Sequence, residues 1–270
     1  MFVIANNLTT RNNTVNQIFR QAKAGGWVSN QQAIIRLQEI TEQCVAAGAD
    51  ALEVNIQQYH DLPEAMEFAV NAVQEVTDLQ LCLSSNNAQV VETGLRTCKR
   101  PPLVNYISID ETRLRNTLPM IASHGAGVVL LVNDPPRPSD AREMLQKAAV
   151  LVGAANEAGI PNGDILIDPG LIHITSDMGQ RHLVEVMEFL QAISDATEPP
   201  VKSTCWLANC STGAPRRLRP AIESTLLPML AGVGLSSVFL DVLRRENRRA
   251  VRLIRIFNNE VVYADSELEV

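Results

Sequence analysis

Eight short β-branched runs, eight longer stretches of helical period between them and no linker-like segment predict one α/β domain, a single (β/α)8 TIM barrel over residues 1–270. Alternation of this kind argues for a parallel sheet, because parallel neighbours need a crossover connection and a helix supplies it. A chain of 270 residues suits one barrel with a large core.

The strands are expected at Phe2 to Ala5, Ala51 to Asn55, Gln80 to Ser84, Leu103 to Ile107, Gly127 to Val132, Ile165 to Asp168, Val201 to Cys205 and Ser237 to Leu240. Between and after them, helical period runs near Asn30 to Ala47, Leu62 to Val76, Ala88 to Cys98, Glu111 to His124, Ser139 to Ala158, Gly179 to Ala196, Leu218 to Ala231 and Leu243 to Phe257. The longest apolar stretch, Ala126 to Val132, is too short to cross a bilayer and reads as a strand buried on both faces. The rival architecture, an open dinucleotide-binding sheet, wants a glycine-rich turn after its first strand. Here that strand is followed by Asn6-Asn7-Leu8-Thr9-Thr10, without glycine.

Composition narrows the function further. A net charge of -7 argues against nonspecific nucleic-acid binding, which needs Lys and Arg to neutralise phosphates. The first residues lack a basic segment followed by a long apolar one, so a cytoplasmic, non-membrane protein is expected. Five scattered cysteines, at 44, 82, 98, 205 and 210, fit reduced thiols. Arg244, Arg245, Arg248, Arg249, Arg252 and Arg255 form a stripe on the last helix, read as a solvated face that complements the helix dipole. Docking of an acidic partner is the alternative.

On such a barrel, chemistry belongs at the C-terminal ends of the strands. Those ends offer Asn6 and Asn7, Glu53 and Asn55, Ser84 to Asn87, Asn105 and Ser108, Asn133 and Asp134, Asp168, and Asn209. An amide both donates and accepts, so a ring of asparagines with one or two carboxylates suits a flat, neutral heterocycle with alternating donors and acceptors. A pterin is such a ring. Its 2-amino group and N3–H lie side by side and match one carboxylate, for which Asp168 is the candidate. Plainer roles compete: Asn6, Asn86, Asn87 and Asn133 as turn or cap residues, Asn55 and Asn105 as buried ties between loops, Asp168 as a cap.

Other chemistries lack their residues. His60, His124, His173 and His182 form no i, i+4 pair, and Cys205 and Cys210 have no matching second pair, so no bound metal is expected. Neither a Gly-x-Ser-x-Gly elbow nor a Gly-x-x-x-x-Gly-Lys phosphate loop occurs.

Five segments in order resemble the pterin-binding methyltransferase family: Gly48-Ala49-Asp50-Ala51-Leu52-Glu53-Val54-Asn55, Leu81-Cys82-Leu83-Ser84-Ser85-Asn86, Val104-Asn105-Tyr106-Ile107-Ser108, Ile167-Asp168-Pro169 and Leu207-Ala208-Asn209-Cys210-Ser211. The family includes methyltetrahydrofolate:corrinoid protein methyltransferases and the folate methyltransferases of anaerobic O-demethylation. The resemblance implies a barrel in which Asn105 and Asp168 hold the pterin, with Ser84, Asn7, Glu53, Asn55 and Ser108 as further substrate-binding residues. It implies Asn209 as the catalytic residue near N5, tetrahydrofolate or 5-methyltetrahydrofolate as substrate, cobalamin (a corrinoid) carried by a partner protein, and a homodimer. The physical need at N5 is hydrogen-bond or proton donation, because that nitrogen is a poor leaving group while it acquires charge.

Three departures stand out. Ser84 replaces the family's Asp after the third strand, Glu53 replaces the second-strand Asp, and Ala5-Asn6-Asn7 replaces a Gly-Glu-Arg-type turn. They leave open a non-catalytic barrel that binds folate or a corrinoid protein. Dihydropteroate synthase shares the barrel and the pterin, but its Ser-Arg-Lys loop has no counterpart in Thr204-Cys205-Trp206-Leu207-Ala208-Asn209.

Overall fold

The computed structural model of the chain describes residues 1–27, 30–133 and 138–269. Asp134, one of the strand-end candidates, lies outside them. Eight strands, β1 (Phe2–Thr9), β2 (Ala51–Asn55), β3 (Gln80–Ser84), β4 (Leu103–Ile107), β5 (Gly127–Leu131), β6 (Ile165–Asp168), β7 (Lys202–Ser203) and β8 (Ser237–Leu240), form one parallel sheet in the order β7-β6-β5-β4-β3-β2-β1-β8. Helices cover its outside: α1 (Asn13–Ala24), α2 (Gln31–Ala46), α3 (Pro63–Gln74), α4 (Ala88–Thr97), α5 (Glu111–Ser123), α6 (Ala141–Glu157), α7 (Gly179–Ile193), α8 (Arg219–Gly232) and α9 (Arg245–Phe257). The expected α/β barrel is therefore the fold.

Three local features differ from the sequence expectation. β1 runs on to Thr9, with Leu8 opposite Val54 and Thr9 opposite Asn55. A register shift between Ala5 and Leu8 absorbs Asn6 and Asn7, whose polarity hides the continuation of the strand. Helix α1 precedes α2 and was not expected. It is capped by Asn12, whose side chain accepts from the Thr14 N–H, and it buries Val15, Ile18, Phe19 and Ala22 at helical spacing. Strand β7 shrinks to two residues.

Serines complete the circle there. Ser203 N–H donates to Ser236 Oγ at 2.8 Å, and the hydroxyls of Ser236 and Ser237 each donate to the Ser203 carbonyl at 2.8 Å. Higher up, Phe239 N–H donates to the Cys205 carbonyl at 2.8 Å. Side-chain hydroxyls thus stand in for a backbone ladder between β7 and β8, and the barrel is nearly closed.

The arginine stripe is only in part a solvated face: Arg245 and Arg249 are exposed, but four of the six find partners. Arg244 pairs with Glu223 at 2.7 Å, Arg255 with Asp50 at 2.6 Å and Arg252 with Glu267 at 3.3 Å, while Arg249 Nε donates to the Leu268 carbonyl at 3.0 Å. Carboxylates from α8, the residue before β2 and the C-terminal segment surround α9, so these cations fasten the barrel's last helix to its neighbours. All five cysteines are free thiols. Among the described residues no helix is long and apolar enough to cross a membrane.

Replacement of Ser236 by Ala deletes its hydrogen bonds to the Ser203 main chain and leaves that N–H without its acceptor. We expect a loss of about 1–2 kcal/mol in urea unfolding, against less than about 0.5 kcal/mol for the exposed Ser123→Ala.

Candidate functional site

Strand alternation builds the site. Ile4, Ala51, Cys82, Leu103, Val129, Leu166 and Phe239, one from each of seven strands, pack into an apolar layer inside the barrel. Two residues further along the same strands come Glu53, Ser84, Asn105, Leu131 and Asp168, which by the period of two face the same interior. The change from apolar to polar makes the layer below a dry plug and the layer above a polar floor, with Glu53 set lowest because it pairs in register with Cys82 while Ser84 pairs with Asn105. Over this floor opens a cavity of about 410 Å³. Its walls include Asn55, Ser84, Ser85, Asn86, Asn105, Asp168 and Asn209, with Arg11, Gln57, His60, Tyr106, Leu131 and Trp206 completing them.

Beneath the floor sits Glu53, with no exposed surface. Its Oε1 accepts from the Ser84 hydroxyl in a short hydrogen bond, from Asn55 Nδ2 at 3.3 Å and from Asn105 Nδ2 at 3.3 Å. Asn105 Nδ2 also donates to Ser84 Oγ at 3.0 Å. Its other oxygen, Oε2, is buried and has no hydrogen-bond partner among the described residues. Burial pushes the Glu53 carboxyl up to about 7, against the opposing pull of the Ser84, Asn55 and Asn105 hydrogen bonds.

Asp168 ends β6 on the same floor and is 8% exposed. Burial raises it too, to about 7, although its Oδ1 accepts from the Gly170 N–H at 2.7 Å. Gly170 has φ +76, and a Cβ there would lie 2.7 Å from the Asn133 carbonyl, so the Asp168-Pro169-Gly170 turn requires glycine. Asp168 therefore caps its own turn with one oxygen and keeps the other for the cavity.

Asn209 stands on a 3₁₀ turn, Leu207–Ser211, after β7. Its side-chain amide has no hydrogen-bond partner among the described residues, while its N–H donates to the Trp206 carbonyl at 3.1 Å. The turn is held from behind: Ser211 Oγ donates at 2.6 Å to Glu223, which is 2% exposed and also takes the Arg244 ion pair.

Of the residues singled out by sequence, Asn55, Ser84, Asn105, Asp168 and Asn209 meet in this cavity. Asn7, Glu53 and Ser108 do not line it. Asn7 instead ties β1 to β8, donating to Asp241 Oδ1 at 2.5 Å and accepting from Val242 N–H at 3.1 Å. Ser108 is buried beyond β4, with its carbonyl accepting from Asp110 N–H at 2.8 Å. Asn87 caps α4, and Asn133 accepts from Ser139 N–H at 3.1 Å. Arg11, Gln57, His60, Tyr106 and Trp206 were not singled out. Arg11 lies two residues past the true end of β1 but six past the expected one, and its guanidinium sits 5.6 Å over the Trp206 ring with Nε donating to Gln57. Among the described residues no group of three or more His, Cys, Asp or Glu side chains could hold a metal ion.

An α/β barrel with one polar, asparagine-rich cavity at its strand ends defines a class of small-molecule-binding protein. Residues 22–235 match the pterin binding enzyme family, and the chain belongs to it. It is 22% identical over 193 residues to a methylcorrinoid:tetrahydrofolate methyltransferase of Eubacterium limosum, covering 70% of this chain and 69% of that one. Its fold is similar to that of dihydropteroate synthase from Stenotrophomonas maltophilia, with a TM-score of 0.63, 16% identity and coverage of 97% of this chain and 94% of that one.

Two measurements check this geometry. Because Glu53 and Asp168 hold protons more tightly when folded than unfolded, their favourable contribution is complete below about pH 4 and is lost as pH rises through about 7. Stability of the ligand-free protein should fall between pH 5 and 8 by up to about 3 kcal/mol per carboxyl, and Asp168→Asn should flatten part of that slope. A stability that rises over this range contradicts the assignment. Separately, Glu223→Ala should cost about 2 kcal/mol in denaturant unfolding and speed amide exchange in the Leu207–Ser211 turn, since it strands Ser211 and Arg244.

Proposed function

We propose that this protein moves a methyl group between N5 of tetrahydrofolate and the cobalt of a corrinoid held by a partner protein. The observation that carries the reading is the convergence of Asn105, Asp168 and Asn209 on one cavity at the strand ends. The similarity to a methylcorrinoid:tetrahydrofolate methyltransferase supports it.

In this reading Asp168 takes the 2-amino and N3–H edge of the pterin with its free oxygen, Asn105 and Ser84 line the floor beside that edge, and Asn55 flanks them. Asn209 places its unengaged amide beside N5, where a donated hydrogen bond stabilises the charge that appears as the carbon leaves. The cavity of about 410 Å³ suits a bicyclic ring and its arm but not a corrin macrocycle, so the corrinoid must approach the open mouth on its carrier. When docked, it supplies the metal centre that gives or takes the methyl group. The residues of this chain orient the folate, exclude water from the floor and hold a hydrogen bond at N5. A cytoplasmic location and a homodimer joined through outer helices, which would leave the mouth free, belong to the same proposal.

The second reading, a barrel that binds folate without turnover, is motivated by Ser84 in place of the family's Asp. Against it, the Ser84 hydroxyl is bonded to Glu53, so a carboxyl from the neighbouring strand lies directly beneath that point of the floor and polarises it.

The purified protein, mixed with tetrahydrofolate and a methylated corrinoid protein, should shift the cobalt absorption spectrum. Asn209→Ala should slow that shift at least about 100-fold while weakening folate binding, measured by calorimetry, no more than about threefold. Tight folate binding without any shift across candidate corrinoid proteins supports the second reading, and absence of binding removes both.

A further inference from the structure

The polar floor has a direction that its residue types alone do not dictate. Asn and Ser each carry donor and acceptor, and either end could face the cavity. Glu53 removes the choice. Oε1 accepts from three side chains on three adjacent strands, so a proton on the carboxyl belongs on Oε2, the oxygen that has no partner among the described residues, and Oε1 can only accept. The Ser84 hydroxyl hydrogen therefore points down, and so do the amide nitrogens of Asn55 and Asn105. The Asn105 nitrogen is further committed to Ser84 Oγ at 3.0 Å. What this part of the floor leaves for the cavity is the Asn105 Oδ1, a lone pair on Ser84 Oγ and the second oxygen of Asp168, all acceptors; the donors of the cavity, among them Arg11 and the Asn209 amide, stand on other walls.

We propose that Glu53 is a specificity-determining residue that never touches the ligand: it holds the donors of Ser84 and Asn105 beneath the floor, so that the cavity accepts only a heterocycle edge rich in N–H groups. The inference rests on the pterin reading above and adds the reason for selectivity within it. A 2-amino ring edge presents N–H donors to this floor. A 2-oxo edge presents a carbonyl oxygen to acceptors, and the groups repel because Asp168, Ser84 and Asn105 hold no donor toward it. Glu53 fits the task because its position is fixed: it has no exposed surface, it stands beside Cys82 in the register and it has Ala51 of the apolar layer below it on its own strand.

The test compares a tetrahydropterin with the matching tetrahydrolumazine, in which the 2-amino group is replaced by 2-oxo, by anaerobic calorimetric titration. Wild-type protein should prefer the amino compound by at least about 100-fold, since sites built around hydrogen bonds reject ligands that leave them unmatched. Glu53→Met, of similar shape and without an acceptor oxygen, frees Ser84 and Asn105 to turn their donors into the cavity, and the preference should fall at least about tenfold, with Asp168 keeping the remainder. Glu53→Asp, whose carboxylate is one methylene short of the three donors, should lower the ratio too and guards against a Met variant that fails to fold. A change that merely damages the fold weakens both ligands alike and leaves their ratio intact. A wild-type ratio retained in either folded variant, or a wild type that binds both compounds equally, overturns the proposal. Wild-type protein that binds neither compound instead overturns the pterin reading itself.

Discussion

The polar floor contributed by β2, β3 and β4 is arranged around one buried carboxyl. Glu53 reaches up from β2 and meets side chains from β2, β3 and β4 at a single oxygen. Burying such a group is costly, and the cost shows in a carboxyl pushed up to about 7 despite three hydrogen bonds. A protein that needed only a stable barrel would put an apolar residue at this level, as it does one layer below. The arrangement makes sense as a device for fixing which atoms of Ser84, Asn55 and Asn105 face a ligand.

The barrel makes such a device simple to build. A strand's period of two lets one substitution class, apolar to polar at successive inward positions, turn a packed plug into a binding floor without disturbing the wall. The outer shell keeps that wall in register where the backbone alone does not. Serines bridge β7 to β8, Asn7 pins β1 to the end of β8, and Glu223 clamps the turn that presents Asn209. The Asn7 and Glu223 ties lie near the rim, where a shift of the chain would move a cavity-lining residue, while the serine bridge lies at the start of β8. The arginines of α9 serve the same end lower down, binding the last helix to the first strands and to the C-terminal segment.

Much of this was legible in the sequence. Strand positions followed from apolar runs, because a parallel barrel strand is buried on both faces and interrupts its hydrophobic run only where the site begins. For the same reason Asn55, Ser84, Asn105 and Asp168 announced themselves as polar residues closing apolar strands. What escaped came from geometry that runs do not encode. The continuation of β1 hid behind two asparagines at a bulge, which moved Arg11 out of consideration. Helix α1 was missed because its four core residues are diluted among polar ones. Glu53 and Asn105, both polar in inward strand positions, look equivalent on paper; only their heights on the strands place one under the floor and the other in it. The arginine stripe looked solvated because its carboxylate partners are remote in sequence, as Arg255 and Asp50 are.

In the proposed function, the acceptors of Asp168, Asn105 and Ser84 grip the donor edge of a reduced pterin. A crystal structure of the protein with tetrahydrofolate bound tests it most directly. The account predicts the 2-amino and N3–H edge within hydrogen-bonding distance of Asp168, the Asn105 oxygen turned toward the ring and the Asn209 amide beside N5. A pterin lodged outside this cavity, or one whose donor edge points to solvent while Asn105 offers its nitrogen, would contradict it.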